Sequence, residues 1–331
     1  MKTSFNKYGR KDGKDLCEIS LKNDNGMVVK VLNYGATLEK VLLNDKNMIL
    51  SLNSPADYSQ ERNYLGGTVS RIAGRVRKGQ WRHGLEIHQL PINEGENHIH
   101  GGIGTDTEVW DFEPSCDENS ARVDLTLFDP DGHNDYPGNL KIHVKYELDN
   151  DDTLHYSINA VSDQLTIFNP VNHVYFTLGE KDNIKDLKLK MNADYYLPVD
   201  HSGMPDRGME EVAGTAFDFR KTKRVGDALE ADDPQIKDRG GMDHPFILNG
   251  NQPGAVLSSA DHKVIVNTDA PSLIIYTGNG FDHTGKYTSD FGQYAGITFE
   301  AQIQPAEGND LGRITLLPNE EFKRNVSWKF E

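Results

Sequence analysis

The chain has 331 residues, of which 36% are hydrophobic and 26% are charged. This composition is typical of a globular protein and excludes a disordered tail, and no stretch approaches the roughly 18 apolar residues that a membrane-spanning helix needs. Thirty-five basic residues against 51 acidic residues leave a net charge of −16. A surface of that sign repels phosphate backbones and anionic lipids, so we expect neither nucleic acid nor a membrane as a partner.

Two cysteines, Cys17 and Cys116, lie far apart and do not form a disulfide framework. The first residues contain no apolar segment like that of a secretory signal peptide. Both observations lead us to expect free thiols and a cytoplasmic location. A β-sandwich of this length can be one unit, and no linker, repeat or low-complexity tract divides the sequence. We therefore expect a single domain over residues 1–331.

Apolar and polar residues alternate with a period of two through most of the chain, as in strands with one buried face. In residues 140–148, for example, every even position is apolar and every odd position is polar. In chain order, the predicted strands cover residues 27–32, 122–127, 140–148, 154–158, 187–191, 263–266, 273–276, 297–303 and 313–317. Clusters of Gly, Pro, Asn and Asp separate them.

Helical patterning is scarce, since only residues 55–63 and 223–231 could each form two or three turns. Strands do not alternate with helices of about 10–15 residues, which argues against a parallel sheet built from β-α-β units. The pattern therefore predicts an all-β protein with a large, mainly antiparallel architecture and few short helices.

Two local patterns suggest other ligands but lack the residues that those ligands need. Residues 280–286 have the spacing of a phosphate-binding loop, but Tyr287 replaces the Ser or Thr that would hold magnesium, and no helix start follows. His98 and His100 could place two imidazoles on one strand face as a metal pair. The glutamate that a small β-barrel metalloenzyme would add at position 104 or 105 is missing. We therefore expect neither a metal nor another cofactor.

Four segments carry more polar residues than strands or turns need. They are residues 69–77, 93–102, 172–176 and 299–302, and Asp243 adds a carboxylate just before a strand-like run. A buried polar group without a partner costs roughly 1–3 kcal/mol, so these positions call for an explanation. Taken singly, each has an ordinary one, for example a core histidine or a surface arginine, and sequence spacing cannot bring the segments together.

The last of these segments has a defined geometry if it is a strand. The apolar residues 297, 299, 301 and 303 share one face, so Thr298, Glu300 and Gln302 share the other. If that second face lines a cleft, Glu300 and Gln302 point into it together.

The chain resembles the aldose 1-epimerase (galactose mutarotase) family over almost its full length. Asn172-His173-Val-Tyr-Phe resembles the family's N-H-T-Y-F-N, and Asn93-x-Gly-x-Asn97-x-x-His100-Gly-Gly resembles its N-x-x-x-N-x-L-H-G-G. In total, eight blocks follow the family's order, at residues 33–36, 71–75, 93–102, 172–176, 214–220, 243–246, 276–279 and 299–302. A single block would be weak evidence for the resemblance, but eight blocks in the family's order are specific evidence for it.

The resemblance implies His173 as the catalytic acid and Glu300 as the catalytic base, with Arg75, His100 and Asp243 holding the sugar. It implies a large antiparallel β-sandwich with the sugar in an open cleft, in a monomer or homodimer that needs no cofactor. The implied reaction interconverts the α and β anomers of a free aldose, such as galactose, glucose or the reducing end of maltose. Reference pKa values of about 4.3 for Glu and about 6.5 for His predict an ionised Glu300 and a partly protonated His173.

The sequence departs from the family pattern at several positions. Gly74 stands where members usually carry Asn, and Thr177 replaces the second Asn of N-H-T-Y-F-N. Ile274 stands where several relatives place a sugar-binding Gln, which leaves the preferred sugar open. Aromatic faces for the sugar could come from Tyr175, Phe176, Tyr276, Phe281, Trp81 or Trp110, although an aromatic residue in a strand is more often part of the core.

Two alternative functions remain open. A related epimerase acting on a sugar phosphate would need an additional cation, for which Arg77 or Lys78 could serve. A non-catalytic carbohydrate-binding module could keep Arg75 and Asp243, but it would have no need for both His173 and Glu300.

Overall fold

The computed structural model describes residues 1–331 and assigns 45% of them to strands and 8% to helices. The predicted all-β class is therefore confirmed. The strands in chain order are β1 (Lys2–Lys11), β2 (Lys14–Lys22), β3 (Val28–Leu32), β4 (Thr37–Leu43), β5 (Lys46–Asn47), β6 (Thr68–Val69), β7 (Arg75–Val76), β8 (Gln80–His83), β9 (Glu86–Gln89), β10 (His98–Ile99), β11 (Asp111–Cys116), β12 (Ser120–Asp129), β13 (Leu140–Asp149), β14 (Thr153–Ser162), β15 (Thr166–Ile167), β16 (Val171–Asn172), β17 (Tyr175–Phe176), β18 (Lys188–Met191), β19 (Ala193–Tyr196), β20 (Glu210–Glu211), β21 (Lys223–Arg224), β22 (Asp243–Leu248), β23 (Ala255–Ser258), β24 (Lys263–Thr268), β25 (Ser272–Tyr276), β26 (Ile297–Thr298), β27 (Glu300–Gln302), β28 (Thr315–Leu316) and β29 (Glu321–Phe330). The helices are α1 (Val225–Leu229) and α2 (Pro234–Arg239), with 3₁₀ turns at Pro55–Ser59, Arg77–Gly79, Thr105–Thr107, His133–Asp135 and Gly312–Ile314.

Most strands belong to three antiparallel sheets. The largest has nine strands in the order β11-β12-β13-β14-β29-β24-β23-β18-β21. The first five-stranded sheet has the order β1-β2-β3-β4-β5, and the second has the order β20-β19-β22-β25-β27. The C-terminal strand β29 lies between β14 and β24, so it joins the half of the large sheet formed by β11–β14 to the half formed by β24, β23, β18 and β21.

The three sheets share one apolar core. In β13, Leu140, Ile142 and Val144 are at most 2% exposed, whereas Lys141 on the opposite face is exposed. One cluster of 58 buried residues combines the inner faces of all three sheets. Burial of this apolar surface holds the sheets face to face, which is the architecture of a β-sandwich.

Strands with strict alternation follow the sequence prediction closely, as residues 140–148 form β13 with one added residue. The segment 297–303 is different, because it breaks at Phe299 into β26, which pairs with β17, and β27, which pairs with β25. The strand predicted for residues 313–317 is wrong in its first half, since Gly312–Ile314 forms a 3₁₀ turn.

The two predicted helical segments are shorter in the structure. Residues 55–63 contain only the turn Pro55–Ser59, and residues 223–231 contain the short strand β21 followed by α1. Helix α2 has no counterpart in the prediction. It is the longest helix, with six residues. None of the helices has both the length and the hydropathy of a membrane span.

Candidate active site

The five candidate residues lie around one cleft. The cleft has a volume of about 490 Å³, and only five of its 20 lining residues are hydrophobic. The structure brings together Arg75, His100, His173, Asp243 and Glu300 at this surface. They come from β7, the end of β10, the segment between β16 and β17, β22 and β27. Five separate segments thus supply one polar cavity of the size typical of small-molecule sites.

Glu300 is placed by the break at Phe299. After the break, β27 pairs with β25, and Glu300 lies opposite Ile274. Phe299 and Ala301 belong to the apolar core, so Glu300 and Gln302 face the cleft from the other side of the strand. Glu300 is only 4% exposed.

His173 is held by its own backbone between two short strand pairs. Its N–H donates to the Gly67 carbonyl at 2.9 Å, and its carbonyl accepts from the Gly66 N–H at 2.9 Å. Nε2 of the ring lies 3.3 Å from Oε1 of Glu300, and Nδ1 has no hydrogen-bond partner. The Tyr175 ring packs at a centroid distance of 5.1 Å. The backbone and this ring fix the imidazole against the carboxyl group.

Burial changes the charge states of this pair. It raises the pKa of Glu300 to about 8, with a further contribution from the charge of Asp243. Burial also lowers the pKa of His173 to about 4. At neutral pH, these shifts favour a protonated Glu300 beside a neutral His173. This corrects the expectation of an ionised Glu300 and a partly protonated His173, which used reference values for exposed groups.

His100 lies beside the pair and makes a defined contact with the chain. It follows β10 with a φ of 48°, and its Nδ1 accepts from the Gly74 N–H at 3.2 Å. Its ring is 5.3 Å from that of His173 and 4.8 Å from that of Tyr64. Burial and the charges of the neighbouring residues lower its pKa, so the imidazole is neutral and can exchange hydrogen bonds with a hydroxyl group.

His98 and His100 do not form a pair on one face. The His98 ring is buried against the Pro91 carbonyl at 2.7 Å and the Tyr136 hydroxyl at 2.6 Å, outside the cleft. The structure contains no group of three or more His, Cys, Asp or Glu placed to hold a metal ion.

A chain of alternating charges crosses the cleft wall. Nε and Nη2 of Arg75 donate to both carboxylate oxygens of Glu94, at 2.5 and 2.8 Å. Nη1 of Arg75 and Nη2 of Arg239 both donate to Oδ2 of Asp243, at 3.4 and 2.7 Å. A side chain at Gly203 would collide with both guanidinium groups, since its Cβ would lie 2.7 Å from Arg75 Nη1. The φ of 80° at Gly203, which L side chains rarely adopt, also favours glycine at this position.

These four charged side chains stabilise one another in their ionised forms. Burial alone would raise the pKa of Asp243, but the neighbouring Arg75 and Arg239 outweigh it and lower that pKa. Burial opposes the charge of Arg75 as well, and the carboxylates of Asp243 and Glu94 outweigh it and raise the pKa. Asp243 is therefore an ionised acceptor at the cleft wall. With two arginines and two carboxylates, this row of four side chains carries no net charge.

Several lining residues were not among the sequence predictions, notably Tyr64, Glu94, Arg239 and Asn279. Arg239 is the last residue of α2, which the sequence prediction missed. A signal for this helix exists, because Asp233 caps it by accepting from the Gln235 N–H, Pro234 is its first residue, and Gly240 ends it with a φ of 63°. Reading that signal would have predicted a helix end just before Asp243.

The aromatic candidates divide into two groups. Tyr175 and Tyr276 line the cleft. Phe281 lies behind them, with its ring 5.4 Å from that of Tyr175. The remaining three, Phe176, Trp81 and Trp110, belong to apolar clusters in the interior.

Neither cation named for a sugar phosphate lines the cleft. Arg77 is engaged with Asp200 at 3.2 Å and with the Glu307 carbonyl at 3.0 Å, and Lys78 is absent from the lining. Ile274 does line it, so the cleft has an apolar side chain where several relatives place a glutamine.

The comparisons with known proteins agree on one family. The family model described as aldose 1-epimerase matches residues 18–329. The chain is 34% identical to the aldose 1-epimerase of Escherichia coli K12 over 337 aligned residues, which cover 96% of each protein. It is 92% identical over 129 residues to an aldose 1-epimerase of Lactobacillus helveticus, covering 39% of this chain and 100% of the other. The crystal structure of galactose 1-epimerase from Lactobacillus acidophilus NCFM matches with a TM-score of 0.97 at 73% identity, covering 100% of this chain and 98% of that one. The chain therefore belongs to the aldose 1-epimerase family of enzymes and has its galactose mutarotase-like β-sandwich fold.

Proposed function

We propose that this enzyme interconverts the α and β anomers of a free, uncharged aldose such as galactose or glucose, with Glu300 as the base and His173 as the acid. The observation that carries the proposal is the pair itself. A carboxyl group and an imidazole lie 3.3 Å apart, both almost fully buried, at the surface of a cleft lined mostly by polar residues.

The reaction needs two proton transfers. Glu300 accepts the proton of the hydroxyl on C1, the C1–O1 bond becomes a carbonyl, and the bond from C1 to the ring oxygen breaks. The ring oxygen takes a proton from His173. Rotation about the C1–C2 bond presents the other face of the aldehyde, and the same steps in reverse close the ring. Positioned acid–base groups typically accelerate such a transfer by about 10²–10⁴-fold.

The proton of the pair must move before the ring opens. It resides first on Glu300, because burial raises the pKa of the carboxyl group and lowers that of His173. A direct shift from Oε1 to Nε2 over 3.3 Å gives the carboxylate and imidazolium that the reaction requires. A sugar whose C1 hydroxyl donates to Glu300 and whose ring oxygen accepts from His173 favours this ionised form.

The surrounding residues suit a neutral sugar. Asp243 offers an ionised acceptor for hydroxyl groups, and Arg75 and His100 supply further polar contacts along the same wall. The charges of Arg75 and Arg239 are already balanced by Glu94 and Asp243. A sugar phosphate would therefore find no uncompensated cation among the groups that line the cleft, which argues against that alternative substrate.

The test is the approach of freshly dissolved α-D-galactose to anomeric equilibrium, followed by polarimetry for the wild-type protein and for Glu300→Gln. We expect a rapid approach with the wild type and a loss of about 10²–10⁴-fold in the variant, because Gln cannot accept the proton. Glu39→Gln is a matched control, since Glu39 is fully buried in β4, away from the cleft. It should keep the wild-type rate.

The same measurement ranks the substrates. Rates on galactose, glucose, maltose and glucose 6-phosphate compare a free hexose, a reducing-end disaccharide and an anionic sugar. A wild-type protein that only matches buffer on every sugar, while still binding one of them in calorimetry, would overturn the enzymatic proposal in favour of a carbohydrate-binding module.

A further inference from the structure

The side-chain amide of Gln302 occupies an unusual position beside the proposed catalytic pair. Gln302 lies two residues after Glu300 on the same face of β27, lines the cleft and is 0% exposed. Its Oε1 accepts from Nδ2 of Asn169 at 3.2 Å, whereas its Nε2 has no hydrogen-bond partner. A buried amide nitrogen with two N–H groups and no acceptor destabilises the protein unless something else satisfies it.

The hydrogen-bond network fixes which way this amide points. The Ile303 N–H donates to Oδ1 of Asn169 at 3.0 Å, so Nδ2 is on the other branch of the Asn169 side chain. That Nδ2 donates to the Ile303 carbonyl at 2.8 Å as well as to Gln302. Oε1 of Gln302 must therefore face Asn169, and Nε2 must point the other way.

Nε2 of Gln302 faces a gap in the cleft wall. Apart from its two chain neighbours, a Cβ at Gly74 would meet two atoms within 4 Å, Nε2 of Gln302 and Cγ of Pro305, each at 3.7 Å. Gly74, Gln302 and Pro305 all line the cleft. A group placed where the side chain of residue 74 is missing would thus be in van der Waals contact with an oriented donor.

We propose that Gln302 is a specificity-determining residue whose Nε2 donates to one hydroxyl oxygen of the bound sugar, with that substituent occupying the gap at Gly74. The inference rests on the proposed sugar-binding function of the cleft and adds to it a particular contact. A site built to hydrogen-bond one substrate hydroxyl discriminates against analogues that lack it, because its buried polar group is then left unpaired.

The test combines Gln302→Leu with a set of deoxygalactoses that lack the hydroxyl at C2, C3, C4 or C6. On galactose we expect kcat/KM to fall about 10-fold in the variant, mainly through KM, because a binding contact is lost. On the one deoxy sugar that lacks the acceptor oxygen, the wild type should show the same loss, and Gln302→Leu should cause no further change. That coupling identifies which hydroxyl binds.

Gln304→Leu is the matched control. Gln304 is two residues further along and does not line the cleft. It lines a neighbouring cavity of about 210 Å³, which shares Arg75 and Pro305 with the cleft. The same substitution there should leave the ratios among the sugars unchanged. A Gln302→Leu penalty of equal size on every sugar, or no penalty on any, would overturn the proposal and assign Gln302 a purely structural role.

Calorimetric binding of the same sugars separates this proposal from the catalytic one. If the wild type binds galactose without accelerating its mutarotation, and Gln302→Leu weakens binding of every sugar except one deoxygalactose, the proposed reaction fails while the assignment of Gln302 holds. If mutarotation is fast but shows no coupling to any hydroxyl, the reaction stands and the assignment fails.

Discussion

Arg71 and Arg75 are four residues apart in the sequence, yet their polar surroundings differ. Arg71 is 1% exposed and lies away from the cleft. Its Nε donates to Oδ2 of Asp129 at 2.6 Å, Nη1 to the Pro137 carbonyl at 2.7 Å, and Nη2 to the Gly138 carbonyl at 2.8 Å. Every nitrogen of this guanidinium group therefore has an acceptor within the protein.

In the cleft beside Arg75, by contrast, several buried polar atoms lack hydrogen-bond partners. Nδ1 of His173, Nε2 of Gln302 and Nε of Arg239 are buried without hydrogen-bond partners, and the carboxyl of Glu300 is too buried to ionise easily. A satisfied polar network stabilises a fold, whereas an unsatisfied one is stable only where it serves another purpose. The comparison therefore supports a structural role for Arg71 and agrees with the binding and catalytic roles that we propose for the cleft residues.

Replacing Arg71 should cause the largest loss of stability. Arg71→Met removes the guanidinium group from Asp129, which keeps only the His133 ring at 2.5 Å, and it also removes the donor to the Pro137 and Gly138 carbonyls. Breaking a buried ion pair from one side costs about 3–5 kcal/mol. Urea unfolding should show this decrease in the free energy of unfolding. Arg75→Met is the contrasting variant, because Arg239 still neutralises Asp243. Because Arg75 is itself largely buried, this variant should also lose stability, but less than Arg71→Met, while KM for the sugar rises. Equal destabilisation by both variants would remove the distinction between the two regions.

Glu300→Gln should have the opposite effect on stability. The folded protein raises the pKa of Glu300 from 4.5 to about 8, so the stability from this group is fully present below pH 4.5 and is lost as the pH rises through 8. Gln does not ionise, and at pH 9 the variant should therefore be more stable than the wild type by about 2–4 kcal/mol. Near pH 5 the two should be almost equal.

Urea unfolding at both pH values checks this difference. Asp243→Asn is its control, because Arg75 and Arg239 outweigh burial and lower the pKa of Asp243. That substitution should destabilise the protein at neutral pH. A Glu300→Gln variant less stable than the wild type at pH 9 would show that burial in the cleft does not destabilise the ionised carboxyl group.

The sequence was most informative where structure depends on local pattern. Residues 140–148 alternate strictly, and the strand β13 follows them because one face of the pattern must be buried. Residues 297–303 alternate equally well but change pairing partner at Phe299. That change depends on β17 and β25, which lie elsewhere in the chain, so no local pattern could reveal it.

The predictions for the site show the same contrast between what a local pattern reveals and what depends on distant segments. The five candidate residues could be named because their motifs resemble those of a family, and the structure places them together. Their charge states could not be predicted, because the pKa values of Glu300 and His173 depend on burial by residues from distant segments. Arg239 was missed because α2 is only six residues long, too short for its periodicity to stand out.

The pH dependence of the reaction tests whether burial in the cleft sets the pKa values of Glu300 and His173. With pKa values of about 8 for Glu300 and about 4 for His173, the pair holds a single proton only between these limits. Below pH 4 both groups are protonated and no base remains, while above pH 8 the pair has lost the proton that the ring oxygen needs. We expect kcat/KM, corrected for the buffer reaction, to follow a bell-shaped profile that falls about 10-fold per pH unit outside the limits. An acidic limb near pH 6.5 would instead mean that His173 keeps the pKa of an exposed histidine. The cleft would then be solvated like the protein surface, and its unpartnered groups would need no ligand to explain them.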